Sequence, residues 1–74
     1  MLDKKYENDR LITVKEVAEL LGCSVSTVWR RVKKGLLPPP IRMLGMTRWS
    51  LCEINTVIQG FLAARYVHTA HHAN

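Results

Sequence analysis

A short segment in the middle of the chain collects hydroxyl, indole and cationic side chains. Ser24, Ser26 and Thr27 come first, and a tryptophan with four cations follows at once: Trp29, Arg30, Arg31, Lys33 and Lys34. Arginine can donate a pair of hydrogen bonds to guanine O6 and N7, while lysine and hydroxyl groups readily bind phosphate oxygens. These residue types at this spacing indicate a surface for a nucleic acid.

Helical geometry would divide this segment into a packing side and an open side. We predict a helix from Val25 to about Lys34, capped by Ser24. At about 100° per residue, Val28 and Val32 share the packing side. The opposite side carries Ser26, Arg30 and Lys33, flanked by Trp29, Lys34 and Thr27.

The first turns of a helix in the major groove reach deepest. The candidates for base or sugar contact are therefore Ser26, Thr27, Trp29 and Arg30. The predicted phosphate contacts are Arg31, Lys33 and Lys34, with Ser24 and the amides at the helix start as a further one. The tryptophan could instead be packed in the core, and both alternatives stay open.

A second predicted helix precedes this one and ends in a glycine turn. Thr13 and Glu16 form a capping box, in which each side chain can bond the backbone of the other residue. The residues that follow place one apolar stripe at helical spacing: Val14, Val17, Ala18 and Leu21. Gly22 ends this helix, and only Cys23 separates it from Ser24. Two helices joined by so short a turn predict a helix-turn-helix.

Downstream, Gly35 and three prolines stop the second helix, and a short hairpin is predicted. Ile41 to Leu44 form one strand, Gly45 with Met46 turn, and Thr47 to Trp49 return. Packing by Ile41, Met43 and Trp49 would support so short a hairpin. Its polar and cationic residues are the predicted contacts of a wing to DNA: Arg42, Thr47 and Arg48.

The last predicted helix starts at a second capping box, from Ser50 to Glu53. Its apolar face comprises Leu51, Ile54, Val57, Ile58, Phe61 and Leu62. We expect it to end near Tyr66. The predicted organisation is a flexible N-terminal arm at 1–10, one domain at 11–66 and a disordered tail at 67–74. The predicted fold class is mainly α, a small winged helix-turn-helix.

The charges of the 74-residue chain are unevenly distributed around a formal net charge of +5. Five of the six acids lie within residues 3–19, whereas residues 20–52 hold six cations and no acid. Such a one-signed segment is typical of a protein that binds a polyanion. A solvated basic surface is the simpler alternative.

Other functional classes find little support in the sequence. No apolar run approaches the ~20 residues that cross a bilayer, and the charged N-terminus has no secretory pattern. Cys23 and Cys52 indicate reduced thiols and a cytoplasmic protein. No catalytic grouping is present, so no enzyme activity and no cofactor are expected. His68 and His72, with His71 between them, could share a metal if the last helix continued that far, but no cysteine or carboxylate ligand lies nearby, so no metal site is expected either.

Four motifs together resemble one family. They are V-x-E-V-A-x-L-x-G-x-S, S-T-V-W-R, K-G-L-L-P-P and R-W-S-x-x-E-I. Over residues 10–62 the chain resembles the AlpA family of prophage regulators, which overlaps with phage and genomic-island excisionases and has a MerR-like winged helix. The resemblance implies a second helix in the major groove and a hairpin at the adjacent minor groove or backbone. Two residues of the second helix depart from the family pattern, Val25 in place of a cation and Arg31 in place of an apolar residue, and so does Val57-Ile58 in the last helix.

Three functions follow as alternatives. The first is an excisionase, or recombination directionality factor, that binds and bends attachment-site DNA and biases a tyrosine-type integrase toward excision, together with further copies of itself. The second is an AlpA-type transcription regulator of prophage or island genes. The third is a protein-interaction module that uses Phe61, Leu62 and Tyr66.

Overall fold

The computed structural model describes residues 8–72 of the chain, with side chains for residues 8–65. Its elements, in chain order, are β1 (Leu11–Ile12), α1 (Val14–Leu21), α2 (Val25–Lys33), β2 (Ile41–Met43), β3 (Met46–Ser50) and α3 (Leu51–His72). The hairpin of β2 and β3 lies between α2 and α3, which confirms the predicted winged helix-turn-helix. Residues 1–7, most of the predicted arm, and 73–74 lie outside the described residues.

The start of α1 is set by the predicted capping box. The Glu16 backbone N–H donates to Thr13 Oγ1 at 3.2 Å, and the Thr13 N–H donates to Glu16 Oε1 at 3.0 Å. Each bond satisfies a backbone N–H at the start of the helix, where intrahelical acceptors are missing. This local sequence motif therefore decides where the first helix begins.

The turn between α1 and α2 depends on a left-handed glycine. Gly22 has φ 66° and ψ 38°, a conformation that a side chain with a Cβ disfavours. The amide of Cys23 then donates to the carbonyl of Ala18 at 3.0 Å. Ser24 caps α2, since its Oγ accepts the amide of Thr27 at 3.2 Å. The chain thus reverses within three residues, as predicted for a helix-turn-helix.

The sheet has three strands in the order β1-β3-β2, and both pairings are antiparallel. The two-residue strand β1 pairs with the end of β3, where Ile12 lies opposite Trp49. The hairpin turn corrects our prediction by one residue: it is formed by Leu44 and Gly45, with φ 48° and 77°. Two positive φ values match the twist of a two-residue hairpin, which a Gly45-Met46 turn would not provide.

One small core joins these elements. Its largest fully buried side chains come from both sheet and helices: Trp49, Ile12, Ile54, Val17 and Val28. The Trp49 indole also donates from Nε1 to the Pro38 carbonyl at 2.9 Å, so its polar atom is satisfied. The core therefore attaches the hairpin and the loop after α2 to the helix-turn-helix.

The start of α3 is capped by two side chains rather than one. Ser50 Oγ accepts the amide of Glu53 at 3.2 Å, which is the serine half of the predicted box. Asp9, from the segment predicted as an arm, accepts the Ser50 hydroxyl at 2.6 Å and the Cys52 amide at 2.9 Å. The bond from Ser50, followed by that from Cys52, lowers the pKa of Asp9. Asp9 thus connects the segment before β1 to the start of α3.

The far part of α3 extends beyond the core. Val57 and Ile58 pack against the core, whereas Phe61, predicted for the same buried face, is 67% exposed. The remaining elements are too short to cover a helix of 22 residues, about 33 Å long. The backbone of α3 continues to His72, beyond the end expected near Tyr66, because neither glycine nor proline occurs after Gly60. Within the described residues, no helix is long and apolar enough to span a membrane.

Candidate nucleic-acid interface

The orientation of α2 leaves its polar side open. Val28 is fully buried and Val32 packs against the core, and these two residues fix one side of the helix. Ser26, Arg30 and Lys33 on the other side are exposed. The predicted division of α2 into a packing side and an open side is confirmed. Because the packing contacts of Val28 and Val32 are apolar, none of the cations is needed to hold α2 in place.

A chain of hydrogen bonds connects the hydroxyl groups at the start of α2 to an arginine. Ser24 Oγ lies 3.2 Å from Ser26 Oγ and 2.9 Å from Thr27 Oγ1. Arg30 donates from Nη2 to Thr27 Oγ1 at 3.2 Å. The guanidinium is therefore held over the first turn of α2, where the unpaired amides of a helix start also point outward. This arrangement gathers three hydroxyl groups and a planar cation on one surface, which we call the patch on α2 (Ser24, Ser26, Thr27 and Arg30).

The other cations of this region lie toward the end of α2. Arg31 and Lys33 are exposed in the last turn of α2, and Lys34 is its exposed C-cap. None of the α2 cations forms an ion pair with a described residue, whereas Arg10 Nη2 pairs with Glu16 Oε2 at 3.8 Å. The cations of α2 thus keep their full positive field, and such a field attracts a polyanion.

Trp29 is packed on one side and exposed on another. Its ring lies 5.3 Å from that of Trp49, centroid to centroid, with the planes tilted by 57°. Tilted aromatic pairs at this separation attract each other. Trp29 nevertheless remains 37% exposed, beside the patch on α2. One edge of the indole is therefore packed and the rest is available to a ligand.

The two arginines of the hairpin lie on opposite faces. Arg42 pairs in register with Thr47, whereas Arg48 pairs with Ile41, and register partners share a face. Arg42 is exposed, and its Nη1 lies 3.5 Å from Thr47 Oγ1. Thr47 is half-buried on the face that also carries Trp49. The structure thus places the side chains of Arg42 and Thr47 on one face of the hairpin and that of Arg48 on the other.

Arg48 is the more enclosed of the two arginines. It is half-buried, and its Nη1 donates to the Thr47 carbonyl at 2.9 Å. It also lies near Glu16 of α1: the bond from the Thr13 amide lowers the pKa of Glu16 most, and the charges of Arg10 and Arg48 lower it further. Because Arg48 is half-buried and bonded to a backbone carbonyl, Arg42 is the more exposed cation of the hairpin.

Sequence reasoning missed the residue at the tip of the hairpin. Leu44 is 92% exposed, more than any other large apolar side chain among the described residues. Its φ of 48° is uncommon for a branched side chain and costs about 1–3 kcal/mol. Placing the turn one residue later assigned Leu44 to a strand. The Leu-Gly dipeptide, with glycine second as in many such turns, was the available signal.

The family comparison agrees with this geometry. A family model described as a helix-turn-helix domain matches residues 11–60, which span β1, α1, α2, the hairpin and the first turns of α3. No curated protein and no solved structure matches the chain. The matched segment includes every residue of the patch on α2 and of the hairpin. The chain therefore belongs to the helix-turn-helix domain family and is a small DNA-binding protein of this kind.

Proposed function

We propose that this protein is an excisionase, which binds attachment-site DNA sequence-specifically, bends it and biases a tyrosine-type integrase toward excision. The observation that carries DNA recognition is the hydrogen-bonded chain from Ser24 through Thr27 to Arg30. Excision as the outcome rests in addition on the resemblance to AlpA-type proteins over residues 10–62.

The patch on α2 suits the major groove. That groove is about 12 Å wide and admits one α-helix, whose first turns face the base edges. Arg30 would then offer its paired donors to guanine. Because Thr27 already holds the Arg30 guanidinium, the arginine would lose fewer conformations on binding. Ser26 and Trp29 lie beside it for contacts to a base or sugar. Arg31, Lys33 and Lys34 would bind phosphates along the groove edge.

The hairpin would extend the contact to the neighbouring groove. Arg42 and Arg48 supply positive charge beyond α2, and phosphate contacts on two sides of a protein can stabilise a bent duplex. A bend at an attachment site would bring integrase-binding segments together. The proposed partners are therefore double-stranded DNA, a tyrosine-type integrase and further copies of this protein on adjacent repeats.

A salt titration tests the DNA-binding part of the proposal. Fluorescence anisotropy would follow binding to a duplex of about 30 base pairs, selected by the protein from a random pool. With the five cations assigned to phosphates engaged, Arg31, Lys33, Lys34, Arg42 and Arg48, the slope of log K against log salt would approach about −4.5. Affinity that ignores salt would contradict a phosphate-based interface.

Excision needs a second experiment, because a transcription regulator of the AlpA type would bind DNA by the same contacts. The protein would be added to an integrase encoded in its genomic neighbourhood, with a plasmid carrying the paired attachment sites. Excision that depends on the protein supports the proposal. Unchanged recombination together with altered promoter output would favour the regulator.

The exposed Phe61 favours one further candidate, a protein-interaction module. An aromatic side chain outside the core could contact a partner helix through α3. A salt-insensitive complex with a protein, in the absence of any DNA shift, would support this alternative.

A further inference from the structure

Leu44 occupies an unusual position for a leucine. It lies at the outermost point of the hairpin, 92% exposed, with φ 48°. Turns of this geometry favour asparagine, aspartate or glycine at the first central position, because those residues tolerate a positive φ. A polar residue there would make a more stable turn and a more soluble surface. Neither the stability of the turn nor solubility explains the leucine, so we infer that it contacts a ligand.

We propose that Leu44 is a wedge that inserts between base pairs from the minor groove and produces the DNA bend. Proteins that kink DNA use leucine, isoleucine, methionine or phenylalanine in this way, and each insertion bends the duplex by about 20–90°. This inference rests on the proposed function, since it assumes that the protein binds double-stranded DNA. It assigns the bend to one side chain rather than to the charges alone.

The dimensions of the minor groove favour contact by the tip of the hairpin. The groove is about 6 Å wide, so a two-stranded ribbon cannot enter it with both strands. The Leu44-Gly45 turn can enter, because it is the narrowest part of the hairpin and Gly45 adds no side chain. Insertion of the apolar Leu44 side chain between stacked bases is favourable, because it removes apolar surface from water.

The placement of the two arginines suits this insertion. Arg42 and Arg48 lie on opposite faces of the hairpin, as their register shows. A hairpin that enters the groove tip first would turn one face toward each of the two phosphate backbones. Each arginine could then bind the backbone on its own side, and the wedge would be centred between them. Arginines on a single face would contact only one backbone.

The residues behind the tip add apolar surface. Met43 and Met46 are register partners directly next to the turn, and Met46 is 40% exposed. Methionine side chains adapt their shape to irregular surfaces. They would cover the sugar edges once Leu44 is inserted, so the apolar part of the contact is wider than one side chain.

The substitution Leu44→Asn separates a DNA role from a structural one. Asparagine fits the positive φ, so the melting temperature should stay equal or rise. Bending would be measured by energy transfer between dyes at the two ends of the duplex selected by the wild-type protein. We expect the bend to be largely lost and the affinity to fall by on the order of tenfold. Leu44→Met, which keeps an apolar wedge, should retain most of the bend.

A matched control changes an exposed leucine elsewhere. Leu20, 47% exposed on α1, is separated by sequence and element from the hairpin, and Leu20→Asn should leave the bend unchanged. A Leu44→Asn protein that bends DNA like the wild type and binds within about twofold of it overturns the wedge alone. Wild-type protein that binds no duplex at any salt concentration overturns the proposed function and the wedge together.

Discussion

Arg30 and Thr27 lie one turn apart on α2, and the guanidinium donates to the threonine hydroxyl at 3.2 Å. Thr27 is half-buried and also lies 2.9 Å from the Ser24 hydroxyl, so it holds a defined position. The residue predicted to read a base is thus positioned by a residue of the same helix. Substitutions of Thr27 and of Arg30 should therefore both change DNA affinity.

Replacing Thr27 by valine keeps the shape of the side chain and removes its hydroxyl. Net hydrogen bonds of this kind contribute about 0.5–1.5 kcal/mol, so affinity for the selected duplex should fall by about two- to tenfold. Fluorescence anisotropy would measure the loss. Thr56→Val on α3, which removes a hydroxyl bonded to the Cys52 carbonyl, is the matched control and should bind like the wild type.

Arg30→Ala should weaken selected DNA far more than random DNA. A lost bidentate contact to guanine costs about 1–3 kcal/mol of discrimination, whereas a lost phosphate contact weakens both duplexes equally. Competition binding with the two duplexes separates the cases. Lys15→Ala removes an exposed cation from α1 and serves as the charge-matched control. Equal losses on both duplexes for Arg30→Ala would leave it as a phosphate contact.

The two arginines of the hairpin should contribute unequally. Arg42→Ala should lower the salt slope by about one unit, as expected for a full phosphate contact. Arg48→Ala should lower affinity less, because its side chain is half-buried and already donates to the Thr47 carbonyl. Circular dichroism should show both variants folded. A larger effect of Arg48 than of Arg42 would contradict this order.

Substitutions of Trp49 and Trp29 should distinguish a role in folding stability from a role in DNA binding. Trp49 is fully buried, and Trp49→Ala should cost about 3–5 kcal/mol, enough to unfold a domain of this size. Trp29→Ala should cost less, about 1–2 kcal/mol, because more than a third of the residue is already exposed. Urea unfolding measures both values. A folded Trp29→Ala protein with unchanged DNA affinity would assign the indole to packing alone.

Asp9 should make the fold sensitive to acid. Its pKa is lowered in the folded chain by the Ser50 hydroxyl first and the Cys52 amide next. Its contribution is therefore complete above the ordinary value of 3.8 and is lost as the pH falls through the lower, folded value. Asp9→Asn should lower the free energy of unfolding by about 1 kcal/mol near neutral pH, a typical cost for a lost helix cap. It should also flatten the decline toward about pH 3.

Urea titrations at several pH values would measure this dependence. Glu19→Gln, which changes an exposed carboxylate on α1, is the control and should keep the wild-type profile. An Asp9→Asn profile parallel to that of the wild type would mean that another group causes the acid sensitivity.

Local interactions made the helix-turn-helix predictable from the sequence. The Thr13–Glu16 box, Gly22 and the Ser24 cap each act within a few residues, so their residue types suffice to set the helix ends. The valine spacing of α2 likewise decided which side packs, because helical periodicity is regular over so short a segment. The open stripe of α2 followed from the same periodicity.

Long-range contacts decided what the sequence left open or misplaced. Asp9 reaches Ser50 across 41 residues, and β3 pairs with both β1 and β2, which sets the register of the hairpin. The opposite faces of Arg42 and Arg48 follow from that register. No spacing along the chain encodes such relationships, since they arise only when distant segments share one core. The sequence thus determined where α2 begins and which of its sides stays open, and the tertiary structure decided how the hairpin is presented beside it.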